Sequence, residues 1–269
     1  MVTLIDDPFE DDTIEELHLP DAPLVRVLSQ IRFPKMPEIT SDPGIAPLRA
    51  RLKHRYPILR EDRGFALVVS GAGVTSQSDS PETLWRLVDQ DDIWRVTTSD
   101  TFVALETSKY SSRTDFFDRF DEIVKAVADL YEPILFDRLG VRYVDRMEGD
   151  EALSSLTRYV NPALLCGPLL EPPPGVILQH SLSQALYQFP DANLQARWGV
   201  LPGGMTIEPS IPAAQARSWI LDLDVFSQGT GAFDPVAISP LARRFSERAY
   251  RFFRWATTPE FLKEVGGLL

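Results

Sequence analysis

The chain has 269 residues, 44% apolar and 25% charged, which is ordinary globular usage and enough for one large domain or two modest ones, so bulk disorder is excluded. Its apolar runs, such as Ile134–Phe136 and Val176–Leu178, are far too short to span a bilayer. The net charge of −12 is uneven: residues 1–21 hold eight carboxylates and no Lys or Arg, so the rest of the chain carries only −4. That balance argues against a broad basic face for duplex nucleic acid.

Residues 1–21 form an acidic arm that opens without the basic and apolar regions of a secretory signal. Two readings apply to it. It is a solvated, mobile terminus, or Phe9, Ile14, Leu17 and Leu19 dock it on a basic partner or on the protein's own Arg-rich helix. Leu24 to Phe33 alternates as a strand, and a Pro-punctuated loop leads to a helix over about 45–56. Phe65–Ser70 is β-prone, and Leu84–Val88 with Ile93–Thr97 read as a hairpin around Asp89-Gln90-Asp91-Asp92. Phe102–Thr107 is a further strand. Ser111 or Ser112 caps a helix to about Tyr131, with Phe116, Phe120, Ile123, Val127 and Leu130 on one face.

The second half follows a similar order. Leu135–Arg146 reads as a strand, Leu153–Tyr159 as a weak helix, and Pro172-Pro173-Pro174-Gly175 as a stiff connector. Val176–Phe189 and Leu194–Leu201 read as hairpin strands, Met205–Glu208 as a short strand, Ser218–Phe226 as a firm one, and about Ser239–Ala256 as a closing helix. The expected fold class is α+β: two tandem strand–helix–four-strand–helix units over 22–131 and 132–269, their antiparallel sheets gripping long helices in a TATA-binding-protein-like or helix-grip-like manner.

Leu105-Glu106-Thr107, Tyr110, Phe116-Phe117, Phe120 and Arg138-Leu-Gly-Val-Arg-Tyr-Val-Asp145, with Ile31-Arg32-Phe33 and the closing Phe252-Phe-Arg-Trp-Ala-Thr-Thr258, carry a resemblance. The chain resembles a sporadically distributed family of bacterial and archaeal proteins of unassigned activity, over most of 22–260. Members of that family often have Asn where this chain has Asp145. The patchy distribution implies mobile genes, and with them a mobile-element defence or toxin–antitoxin setting.

Three constellations invite a function. At period two, Arg138, Gly140, Arg142, Val144 and Arg146 share one strand face. Glu106 is the expected partner of these arginines, either as a structural salt bridge or as part of a pocket for an anionic ligand. Asp222 and Asp224 share a strand face, the arrangement metal-dependent nucleotide chemistry requires, yet no phosphate-binding Gly-Ser element lies nearby. Both are expected on the solvent side, opposite Trp219, Leu221, Leu223 and Val225. Arg244, Arg248 and Arg251 line up on the last helix, as a solvated face or as a site for phosphates or an acidic partner.

His18, His54 and His180 have no ligand spacing, Ser70-Gly71-Ala72-Gly73 reads as a turn, and Trp85, Trp94, Trp198 and Trp219 read as core. Cys166, the single cysteine, is read as an inert buried thiol in a reducing cytoplasm. The expectation is therefore a cytoplasmic, non-catalytic binding or regulatory protein without cofactor, engaging a protein partner or a small anionic ligand. Glu106, Tyr110, Arg138, Arg142, Asp145, Arg244, Arg248 and Arg251 are its candidate binding residues. A metal-dependent nucleotide enzyme and a nucleic-acid-binding module are the alternatives.

Overall fold

The structure is a computed structural model that describes residues 5–10, 14–64, 67–69, 75–77, 82–165, 170, 173–208 and 211–267, with backbone alone for 63–64, 67–69, 75–77 and 82. Cys166 and the Ser70–Gly73 turn lie outside the described residues.

The first half comprises β1 (Leu24–Arg32), a 3-10 turn (Pro37–Thr40), α1 (Asp42–Leu52), β2 (Ile58–Gly64), β3 (Leu67–Val69), β4 (Thr75–Gln77), β5 (Glu82–Val88), β6 (Trp94–Thr98), β7 (Phe102–Thr107) and α2 (Arg113–Tyr131). The second comprises β8 (Leu135–Phe136), β9 (Arg138–Glu148), α3 (Asp150–Ser154), α4 (Leu156–Tyr159), a 3-10 turn (Pro162–Leu164), β10 (Ser181–Gln188), β11 (Ala192–Leu201), β12 (Ser218–Ser227), β13 (Gly231–Ala232), α5 (Pro235–Ala256) and α6 (Pro259–Glu264).

Nine strands form one antiparallel sheet in the order β10-β11-β12-β9-β1-β7-β6-β5-β2. Its centre is the pair β1–β9, in register from Arg26 opposite Val144 to Arg32 opposite Arg138. The result is a mixed α+β architecture with helices against one face of a continuous sheet. No helix among the described residues is long and apolar enough to cross a membrane.

The helices pack because their apolar stripes match that face. Phe116, Phe117, Phe120, Ile123 and Val127 of α2 are fully buried, as are Phe245 and Phe252 of α5. Each such phenylalanine contributes roughly 2–3 kcal/mol of transfer free energy. Ser112 caps α2 by accepting from the Asp115 amide at 3.2 Å, and Glu132 ends it in the left-handed region, φ 48°. Asp234 caps α5, with Pro235 preset for the first turn. The two helices run antiparallel, since Arg113 at the start of α2 meets Glu247 late in α5, while Asp121 receives bonds from Ser239 and Arg243.

Several boundaries differ from the sequence reading. Ile58–Gly64 pairs along the whole of β5 although four of its seven residues are charged, a pattern that hides an edge strand. The long strand expected from Leu135 breaks at Asp137, whose amide donates to Arg32 O at 2.7 Å. β10 begins only at Ser181, and Met205–Glu208 is a bend rather than a strand. α5 starts at Pro235, four residues before the expected Ser239, because Asp234 supplies the cap.

Candidate functional site

The sheet face away from the helices carries a buried lattice of charges. Leu139 and Val141 of β9 join the main core under the helices, whereas Val144 joins a smaller cluster with Leu201, Ile211 and Ile220 on the opposite side. Ile207, Glu208 and Ile211 therefore lie over this end of the second face, and Asp222 and Asp224 are 1% and 8% exposed there rather than on the solvent side. Arg142 forks onto Asp222, Nε to Oδ1 at 2.6 Å and Nη2 to Oδ2 at 3.0 Å, and its Nη1 reaches Glu208 at 2.5 Å. Arg197 also donates to Asp222 at 2.7 Å, and Arg138 to Asp224 at 2.7 Å.

A side chain on Gly140 would meet Nη1 of Arg138 at 2.5 Å, so the glycine leaves room for that guanidinium to lie over the strand. Burial works against the charge of Arg142, but Asp222 and Glu208 outweigh it and hold the proton more tightly than in water.

Glu106 is not the partner of Arg142. It sits opposite Leu28, and Leu28 sits opposite Arg142, so β1 intervenes and separates the two by two strand spacings, roughly 10 Å. Glu106 instead pairs with Arg26 and, at 3.3 Å, with Arg95. Asp222 and Asp224 are both engaged by arginine, so the free paired carboxylates that metal chemistry needs are not present there. Among the described residues no group of three His, Cys, Asp or Glu is placed to hold a metal ion.

A cavity of about 330 Å³ lies on the helix side of the sheet. Its floor is Tyr143 and Asp145 of β9, its wall is Ser246, Ala249, Tyr250 and Phe253 of α5, and the loop 108–113 adds Tyr110 and Arg113. Residues 16–20 of the arm, followed by Ala22 and Leu24, line its remaining side. Glu16 accepts from the Tyr110 hydroxyl at 3.0 Å and from the Arg113 amide at 3.2 Å, while the Leu17 amide donates to the Tyr250 hydroxyl at 2.8 Å. Tyr143 and Ser246 share a hydroxyl–hydroxyl bond of 2.7 Å, and the rings of Tyr110 and Tyr143 meet edge to face at 5.9 Å.

Asp145 is the exception in this network. It is 4% exposed, and its Oδ1 is buried without a hydrogen-bond partner. Its neighbours across the sheet are Leu24 and Leu221. Burial, reinforced by the charge of Asp222 through the sheet, pushes its pKa up to about 7. Burial first, then Tyr143 and Glu16, also raises the Tyr110 phenol, so it stays protonated as a donor.

The arm continues along α5. Phe9 packs on Tyr187 at 4.6 Å and near Phe189 and Phe252, and Arg251 donates to Asp7 O and to Glu10, each at 3.3 Å. Arg244 and Arg248 both bind Asp191, the latter at 2.7 Å while lying over Phe189. Arg248 and Arg251 are 6% and 3% exposed, so they are not a solvated face.

The sequence candidates thus divide among three places. Tyr110 and Asp145 meet in the cavity, Glu106, Arg138 and Arg142 lie on the opposite sheet face, and Arg244, Arg248 and Arg251 lie outside the cavity on α5. Tyr143, Glu16, Arg113, Ser246 and Tyr250 join the site without having been singled out. Tyr143 was within reach, since it shares a strand face with Asp145; the others come from three further segments. Comparison with protein-family models, with curated proteins and with solved structures finds no match to this chain.

Proposed function

We propose that this chain is a non-catalytic binding protein that encloses a small ligand between β9, α5 and its own acidic arm. The observation that carries this is the cavity of about 330 Å³ with a nearly fully buried carboxylate, Asp145, left without a partner at Oδ1. An unpaired buried polar group costs about 1–3 kcal/mol, more when charged, and a donor brought to this carboxylate from the cavity offsets part of that cost. The surrounding phenols and serine hydroxyls form the few convergent polar groups typical of small-molecule sites.

Native mass spectrometry of the full chain incubated with a small-molecule extract tests this. The expected result is a retained compound that is lost from Ala249→Phe, which fills the cavity from α5. A folded wild-type protein that retains nothing speaks against the reading.

A second reading concerns a protein partner. The surface along α5 already holds an acidic segment through Phe9 and Glu10, so an acidic, aromatic-bearing segment of another protein has the chemistry to compete with the arm. The resemblance in sequence motifs adds the proposal of a defence or toxin–antitoxin setting in the cytoplasm. It is tested by pull-down from the native host and by the identity of the neighbouring gene. The lattice of paired charges on the second face offers little net positive charge to phosphates, so a nucleic-acid role gains nothing from it.

The strand order supports a further proposal about origin. Outward from the β1–β9 pair, each half runs first to the strand that precedes its long helix, β7 or β12, and then to the earlier strands in reverse. That order fits an internal duplication of the TATA-binding-protein-like or helix-grip kind.

A further inference from the structure

We infer that the ligand of this cavity carries a cationic ammonium group, seated on the Asp145 carboxylate beside the rings of Tyr110 and Tyr143. The inference rests on the reading of the cavity as a ligand site and deepens it. Of the charged groups around the cavity, Glu16 and Arg113 are engaged by neighbours. Glu16 is engaged by Tyr110 and by the Arg113 amide. Arg113 faces Glu247 at 3.6 Å and lies over the Tyr250 ring at 5.4 Å, although its Nε has no acceptor. Lys109 and His18 are exposed at the rim.

Asp145 alone in this lining is a nearly fully buried carboxylate with an unpartnered oxygen, and its cross-strand neighbours Leu24 and Leu221 cannot donate. An ammonium brings three donors and a full charge to such a group. The flanking phenol rings carry the electron-rich faces that attract bound cations. A carboxylate or phosphate would instead meet the Asp145 carboxylate in the floor and Glu16 in the arm. Burial and Asp222 hold the Asp145 pKa near 7, so a bound cation also favours the ionised form that burial penalises.

Titration calorimetry of the full chain at pH 8 with three probes of similar shape tests the inference: 2-phenylethylammonium, 2-phenylethanol and 3-phenylpropanoate. The ammonium is expected to bind at least tenfold more tightly than either of the others, and Asp145→Asn is expected to remove that preference. A second measurement covers the case in which Asp145→Asn fails to fold. In the wild type, ammonium affinity is expected to tighten severalfold from pH 6 to pH 8, while alcohol affinity stays flat.

The titratable and charged groups that line the cavity with Asp145 are Tyr143 on its own strand, Tyr110, Lys109, Arg113, Glu16 and His18, and Tyr250 on α5, with Asp222 acting through the sheet. His18 lines the same cavity, so His18→Gln is the control and is expected to keep the slope. Equal or tighter binding of the alcohol or the carboxylate overturns the ligand class and leaves the cavity reading intact, because that reading is judged by the Ala249→Phe experiment. Binding by none of the three overturns the ligand class as well.

Discussion

Asp145 and Arg142 stand three residues apart on β9, face opposite sides of the sheet, and solve burial in opposite ways. Arg142 is surrounded by acceptors, and removing it leaves Asp222 with Arg197 and Glu208 with Arg26 in a dry environment that is then short of donors; Arg142→Met is expected to cost up to roughly 3–5 kcal/mol, read as a lowered urea midpoint. A loss under 1 kcal/mol would show the lattice to be dispensable. Asp145 has no such partners, and its pKa rises from the ordinary 3.8 to about 7 on folding. The folded chain therefore binds the proton more tightly than the unfolded one. This group's contribution is greatest below about pH 4, declines between pH 4 and 7, and is flat above. Asp145→Asn removes that slope. Relative to the wild type it is expected to gain a few kcal/mol on going from pH 4 to pH 8. Urea melts at intervals across that range check it, and parallel curves for the two proteins would refute the assignment.

At the scale of elements, periodicity succeeded where one face is apolar and the ends are chemically marked. β7 matches its expected bounds, Phe102–Thr107, and α2 begins where Ser112 caps it. The hairpin between β5 and β6 turns on Asp89, whose carboxylate accepts from the amides of Ile93 and Trp94. Patterning failed where pairing, not composition, makes the strand, as in Ile58–Gly64. It also failed where two chain-distant segments meet, and so Glu16 against Tyr110 was invisible. The arm shows this best, because its acids suit a solvated terminus as well as a docked one until Arg251 and the aromatic cluster around Phe9 are in place.

Docking of the arm makes a prediction of its own. Phe9→Ala removes the contacts with Tyr187, Phe189 and Phe252 and is expected to loosen the arm as far as Leu17. Hydrogen exchange at the Leu17 amide, which donates to Tyr250, should accelerate at least tenfold, with little change in the core of α2. Unchanged protection at Leu17 would mean that Glu16 and Leu17 hold the roof without help from Phe9.

Across the whole molecule, the two halves that the sequence suggests, 22–131 and 132–269, are joined at the point where separation costs most. β1 and β9 pair in the middle of the sheet, so parting the halves would expose two unpaired strand edges and the apolar faces of both long helices. Arg243 adds a second seam, meeting Asp118 at 3.3 Å and Asp121 at 2.7 Å across α2 and α5. A core shared in this way behaves as one cooperative unit, because neither half keeps its buried surface when the other unfolds. Calorimetry of the full chain is therefore expected to give one transition, with the van't Hoff enthalpy close to the calorimetric one. The fragment 22–131 alone is expected to lack a cooperative melt and to aggregate through its exposed β1 edge. Two resolved transitions, or a fragment that melts sharply on its own, would show that each half owns its core and that the cavity, which draws on β9, α5, the 108–113 loop and the arm, forms only when they dock.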